Sequence, residues 1–200
     1  MKDFKTAVAV GFTRLAYHYL SWLSIAWYSL TMRLTKHHKA SVPVYKDYKT
    51  IVEDMGWGFL YRRDPLNGKF DYLTHPTRLA YNVDNRTGFG DCDDHAIYWC
   101  TAIKKSNLAD KVWFCFYSMV REKTLKLSGH AVCVFYKADE DQYYWCDYGL
   151  PNTIEKKEYW PIESAEKYDS SAFVATMCEV IELKDDDTPI FGETVVFNVS

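Results

Sequence analysis

Residues 88–100 read "GFGDCDDHAIYWC", and five consecutive positions among them hold one thiol, three carboxylates and an imidazole. A cysteine attacks only as its thiolate, so the surroundings of Cys92 decide whether this stretch can do chemistry. Asp91 is a good N-cap, and Asp94 three residues later makes a variant of the capping box, which puts Cys92 at the first helical position. There the sulfur faces backbone N–H groups that have no partner inside the helix. Those groups lower a thiol's pKa, while three nearby carboxylates raise it. A cation has to reach the sulfur, and an imidazolium supplies both the charge and the proton traffic of nucleophilic acyl transfer.

His130, in "SGHAVCVFY", is the candidate. It begins an apolar strand, and "KADEDQ" turns the chain back into "YYWCDYG". If Tyr136 faces Tyr143 across that turn, Val132 faces Asp147, and His130 and Asp147 become diagonal neighbours on one sheet face. Asp147 then fixes the imidazole tautomer and supports its charged form, with the other ring nitrogen toward the sulfur. A register slip of one residue carries Asp147 to the opposite face.

The remaining polar residues have plainer roles. Carboxylates in a first helical turn are favoured by the helix dipole alone, so Asp91, Asp93 and Asp94 are structural on this reading, and His95 is a packing or surface residue. Cys92-x-x-His95 and His130-x-x-Cys133 imitate zinc-ligand spacing. Residues three apart on a strand point to opposite faces, however, so His130 and Cys133 cannot share an ion, and neither a metal nor a cofactor is expected. Cys115 and Cys133 sit inside apolar runs, as inert buried thiols do. Six cysteines without regular spacing favour a reducing compartment over a disulfide scaffold.

These residues need elements to hold them. Cys92, Ala96, Trp99 and Ile103 recur at helical spacing, which predicts an amphipathic helix over 91–105 ending in "KKSN". A short helix is expected near 47–55, followed by a loop-rich approach, with many Pro, Gly, Asn and Asp, that walls a cleft. Beyond residue 110 the period changes: four β-branched and aromatic runs at 111–120, 129–137, 142–149 and 171–183 read as strands, with "GETVVFNV" as a fifth and a short helix after Pro161. The fold class is α+β, with helices first and then antiparallel strands.

In the order Cys, His, Asp, the stretches "GFGDCDDHA", "GHAVCVFY" and "WCDYG" resemble the transglutaminase-like cysteine peptidase superfamily. The upstream "WGFLYRRDPLNGKFDYLTHPTRLAYNVDNRTGFGDCDD" is similar to the approach to the nucleophile in bacterial and phage members, and the resemblance covers about residues 50–150. It implies a papain/transglutaminase-like core in which a Cys-bearing helix packs on an antiparallel sheet. It also implies Cys92 as nucleophile, His130 as general base and acid, and Asp147 as orienting carboxylate. In related enzymes an upstream Trp or Gln supplies an oxyanion donor besides the nucleophile's own N–H. Trp57, thirty-five residues before Cys92, is the candidate here, although indole serves as readily as a cleft wall or core residue. The reaction expected is acyl transfer at an amide bond of a peptide or protein, by a cysteine peptidase or amidase. Transamidation or deamidation of glutamine would use the same triad, and a non-catalytic assembly protein, of a phage particle for instance, is the reading from another class.

Composition bounds the rest. Two hundred residues, 48% hydrophobic, make one sizeable core, and a net charge of −3 with scattered Lys and Arg excludes an electrostatic footprint for nucleic acid. Residues 15–32 carry no Asp, Glu, Lys or Arg and are followed by the basic "RLTKHHK", the pattern of a membrane edge. Arg14, His18, Ser21, Ser24, Tyr28 and Thr31 recur as a narrow polar stripe, however, which is the pattern of a packed helix. Residues 7–34 are therefore expected to meet either a protein partner or a membrane, and no clean secretory signal is present. The expected division is an N-terminal helix in 1–40, a linker with Pro43, and the catalytic domain in 45–200.

Overall fold

The computed structural model of the chain describes residues 8, 23, 26–58, 73–85, 90–121, 127–155, 173–183 and 191–198, the last two segments as backbone only. Helix α1, described over 26–35, turns Tyr28, Thr31 and Met32 inward. Helix α2 spans Tyr48–Gly58 and starts where Asp47 accepts from the Thr50 backbone N–H (2.8 Å) and hydroxyl (2.7 Å), an N-terminal cap. Helix α3, Pro76–Asp84, corrects the reading of this region as loop. Pro76 has the backbone angle a helix start wants, and His75 before it caps the turn, its Nδ1 accepting from the Thr77 N–H at 3.1 Å. Helix α4 is Cys92–Lys105, with Lys104 and Lys105 in its last turn and Asn107 in the left-handed region (φ 51°) just beyond.

Among the described residues six strands follow: β1 Lys111–Arg121, β2 Leu127–Lys137, β3 Gln142–Cys146, β4 Asn152–Ile154, β5 Phe173–Leu183 and β6 Phe191–Asn198. They form one antiparallel sheet in the order β4-β3-β2-β1-β5-β6. Two expectations are corrected. The three-residue β4 is too short to show alternation, and the third strand ends at Cys146 rather than 149, so Asp147 and Tyr148 lie past the ladder. The short helix expected after Pro161 falls outside the described residues.

The core lies between the helices and the sheet, with α4 packed on β1 and β2 and flanked by α2 and α3. Enclosed in this way, α4 is buried on every side from Asp93 to Ile103, where the periodicity predicts one apolar face. Inside, the Tyr98 hydroxyl meets that of Tyr45 at 2.7 Å, and Tyr45 donates to Asp54 at 2.6 Å. Burial pushes both phenols up, so they stay neutral donors. Tyr28 and Met32 of α1 belong to the same buried cluster as Trp99, Ile103, Phe114 and Phe135. Among the described residues no helix is long and apolar enough to cross a membrane.

Candidate active site

Cys92 is the first residue of α4. The backbone at Asp91 is extended (φ −108°, ψ −156°), and its carbonyl accepts the first helical bond from the His95 N–H at 3.0 Å. The capping box anticipated between Asp91 and Asp94 does not form: Asp91 makes no side-chain cap bond among the described residues, and Asp94 turns elsewhere. Buried at 3% exposure, Asp94 accepts from the Thr74 N–H (2.7 Å) and hydroxyl (3.1 Å). Leu73 and His75 on either side of Thr74 bind α1, through Thr31 (3.1 Å) and Thr35 (2.8 Å). Successive residues of this segment thus bond α1, α4 and α1 again, and tie the tip of α4 to the N-terminal helix.

The β2–β3 hairpin brings the other groups. Tyr136 pairs with Tyr143 and Cys133 with Cys146, the last pair of the ladder, and Asp147 follows directly beyond it. His130 Nε2 and Asp147 Oδ1 are 3.1 Å apart, the histidine buried and the carboxylate side chain 24% exposed. That bond leaves Nδ1 as the nitrogen for a second partner. Gly129, just before His130, has no room for a side chain, since a Cβ there would lie 2.5 Å from the Phe116 ring.

His95, one turn along α4 from Cys92, meets the hairpin. Its ring packs 4.8 Å from Tyr148, and Tyr148 lies 6.2 Å from His130. The His95 pKa is pushed down to about 4, chiefly by burial, with the Asp147 carboxylate opposing and the neighbouring His130 ring adding a smaller push in the same direction as burial. His95 is therefore a buried neutral packing residue. The first turn of α4 and the end of the hairpin converge here, bringing His95, His130, Asp147 and Tyr148 together. Tyr148 lies inside the "WCDYG" stretch, but sequence reasoning gives it no role; its adjacency to Asp147 is the signal that points to it.

No disulfide joins the five described cysteines, and Cys92 is partly exposed where Cys100, Cys115, Cys133 and Cys146 are buried. Burial raises the thiols of Cys100 and Cys146, which suits them to packing. Trp57 lies in α2, but its side chain is outside the described ones. Among the described residues Asp91, Cys92 and Asp93 hold three possible metal-ligand atoms within 4.8 Å of one another. Three consecutive residues at an acidic helix tip produce that grouping by themselves, and no step is assigned to an ion there.

No family model and no curated protein matches the chain. Among solved structures it is similar to Legionella pneumophila LapG in its calcium-bound form, at 21% identity and a TM-score of 0.35, over 76% of this chain and 71% of that one. The EGTA-treated form gives 20% and 0.37 over 76% and 69%, and a third LapG structure 19% and 0.35 over 76% and 71%.

Proposed function

We propose that the protein is a cysteine hydrolase that cleaves an amide bond in a peptide or protein, with Cys92 as nucleophile, His130 as general base and acid, and Asp147 as the carboxylate that orients His130. The observation that carries this reading is the 3.1 Å bond between His130 Nε2 and Asp147 Oδ1, beside the helical turn that Cys92 begins. With Nε2 held, Nδ1 takes the thiol proton, and the thiolate attacks the carbonyl carbon. The oxyanion is met by the Cys92 backbone N–H, which has no acceptor within its helix, and by the Trp57 indole. His130 then returns the proton to the departing amine as the C–N bond breaks. Water, deprotonated by His130, opens the thioester to give a carboxylic acid and restore the thiol. The catalytic residues of this reading all lie within 45–200, and α1 contributes Tyr28 and Met32 to the core beneath them.

The test is alkylation by iodoacetamide together with turnover of a peptide library, on wild type, Cys92→Ala, His130→Ala and Asp147→Asn. The expected outcome is rapid labelling of Cys92 in the wild type, slow labelling in His130→Ala, and turnover reduced by about 10²–10⁴-fold in Asp147→Asn. Equal labelling of another cysteine in every variant rules the assignment out. Adding a primary amine and a glutamine peptide separates hydrolysis from transamidation by product mass.

A further inference from the structure

Helix α1 has two different faces. Inward, Tyr28, Thr31 and Met32 are buried, and Thr31 and Thr35 are hydrogen-bonded to the 73–75 segment. Outward, Leu23 (45% exposed), Trp27 (42%), Leu30 (47%) and Leu34 (76%) stand at i, i+4, i+7 and i+11, one line along a helix. Four large apolar side chains aligned on a surface mark a place of contact.

Charge decides with what. No Asp or Glu occurs between Asp3 and Asp47, a stretch that carries Lys5, Arg14, Arg33, Lys36, Lys39 and Lys46, although the whole chain has a net charge of −3. Arg33, Lys36 and Lys39 are exposed and sit at the end of the apolar line. A second copy of this helix would bring the same cations together with no carboxylate in the stretch to answer them. An anionic lipid surface answers both features at once: the acyl boundary accepts the Leu and Trp side chains, and the headgroup phosphates accept the Lys and Arg.

We propose that α1 docks the protein on an anionic bilayer, lying in the plane of the interface with Leu23, Trp27, Leu30 and Leu34 in the acyl boundary and Arg33, Lys36 and Lys39 on the headgroups. The helix rests on the surface and does not span it, because turning it across the bilayer would pull Tyr28 and Met32 from the core and break the bonds at Thr31 and Thr35. This docking is independent of the reaction proposed at Cys92.

The test is co-sedimentation of the full chain with vesicles of phosphatidylcholine, alone or mixed with phosphatidylglycerol, at low and high salt. The variants are Leu30→Glu/Leu34→Glu and Arg33→Glu/Lys36→Glu/Lys39→Glu, with Leu34→Ser alone as a mild substitution at the most exposed site. Wild type is expected to sediment with the anionic vesicles only and to be released by salt. Both multiple variants should bind about tenfold less or weaker still, with unchanged melting temperatures. If either fails to fold, a measurable loss of binding in Leu34→Ser carries the same conclusion. Absence of binding to anionic vesicles overturns the proposal, as does equal binding by wild type and all variants. A stripe substitution that only converts a dimer to a monomer in analytical ultracentrifugation also overturns it, and assigns the face to a second copy.

Discussion

At the scale of single residues, two buried imidazoles that share Tyr148 as a ring neighbour do different work because of their partners. His95 is 6% exposed and His130 3%, so depth does not separate them. His130 holds a carboxylate, whereas His95 packs against the Tyr148 ring and is pushed down from 6.5 to about 4, chiefly by burial. The unfolded chain therefore takes a proton at His95 before the folded one does. Stability is intact above pH 6.5 and falls as the pH drops toward 4, a loss on the order of 3 kcal/mol from this residue. Urea midpoints compared at pH 7, 6 and 5 should decline in the wild type and decline less in His95→Phe, which keeps an aromatic ring there but cannot titrate. Identical slopes would remove His95 as the cause. Local sequence allows His95 to be a packing or a surface residue, and only the neighbouring Tyr148 and the enclosing elements select between the two.

Among the elements, the tip of α4 is held by a residue that local sequence casts in a different part. Asp94 looks like a helix-start carboxylate, yet its carboxylate accepts from the N–H and hydroxyl of Thr74, twenty residues away, in a segment that reads as loop. Replacing Asp94 by Ala leaves the buried Thr74 N–H without its acceptor. We expect a loss of about 2–3 kcal/mol in urea denaturation, with slower alkylation of Cys92 as the tip loosens. Thr74→Val removes only the hydroxyl bond and should cost less; equal costs would show that the backbone bond contributes little. The β2–β3 hairpin is the opposite case. Its pairing of Tyr136 with Tyr143 follows from one short turn and the period of two, so the nearness of His130 and Asp147 is legible in the amino-acid order, although Asp147 lies just past the ladder. Helix α3 is not, because Pro76 and the Asn and Asp around it punctuate a loop as readily as they start and end a helix.

For the molecule taken whole, α1 is built into the core that carries the site. Met32 is 3% exposed within the buried cluster that includes Trp99 and Phe114. Met32→Ala should cost about 2–4 kcal/mol by calorimetry or denaturant, with unfolding still a single transition; a negligible cost would mark α1 as a detachable appendage. Large-scale organisation is where sequence reading is weakest. The order of residues dictates what depends on short-range periods: that a helix opens at Cys92, that strands follow residue 110, and that one hairpin puts His130 beside Asp147. Packing in three dimensions is what encloses α4 on every side, makes the 73–75 segment a bridge from α1 to the tip of α4, and sets Tyr148 against His95. These contacts join segments with no common period, and they are chosen by how the whole chain buries its apolar surface, which no local pattern records.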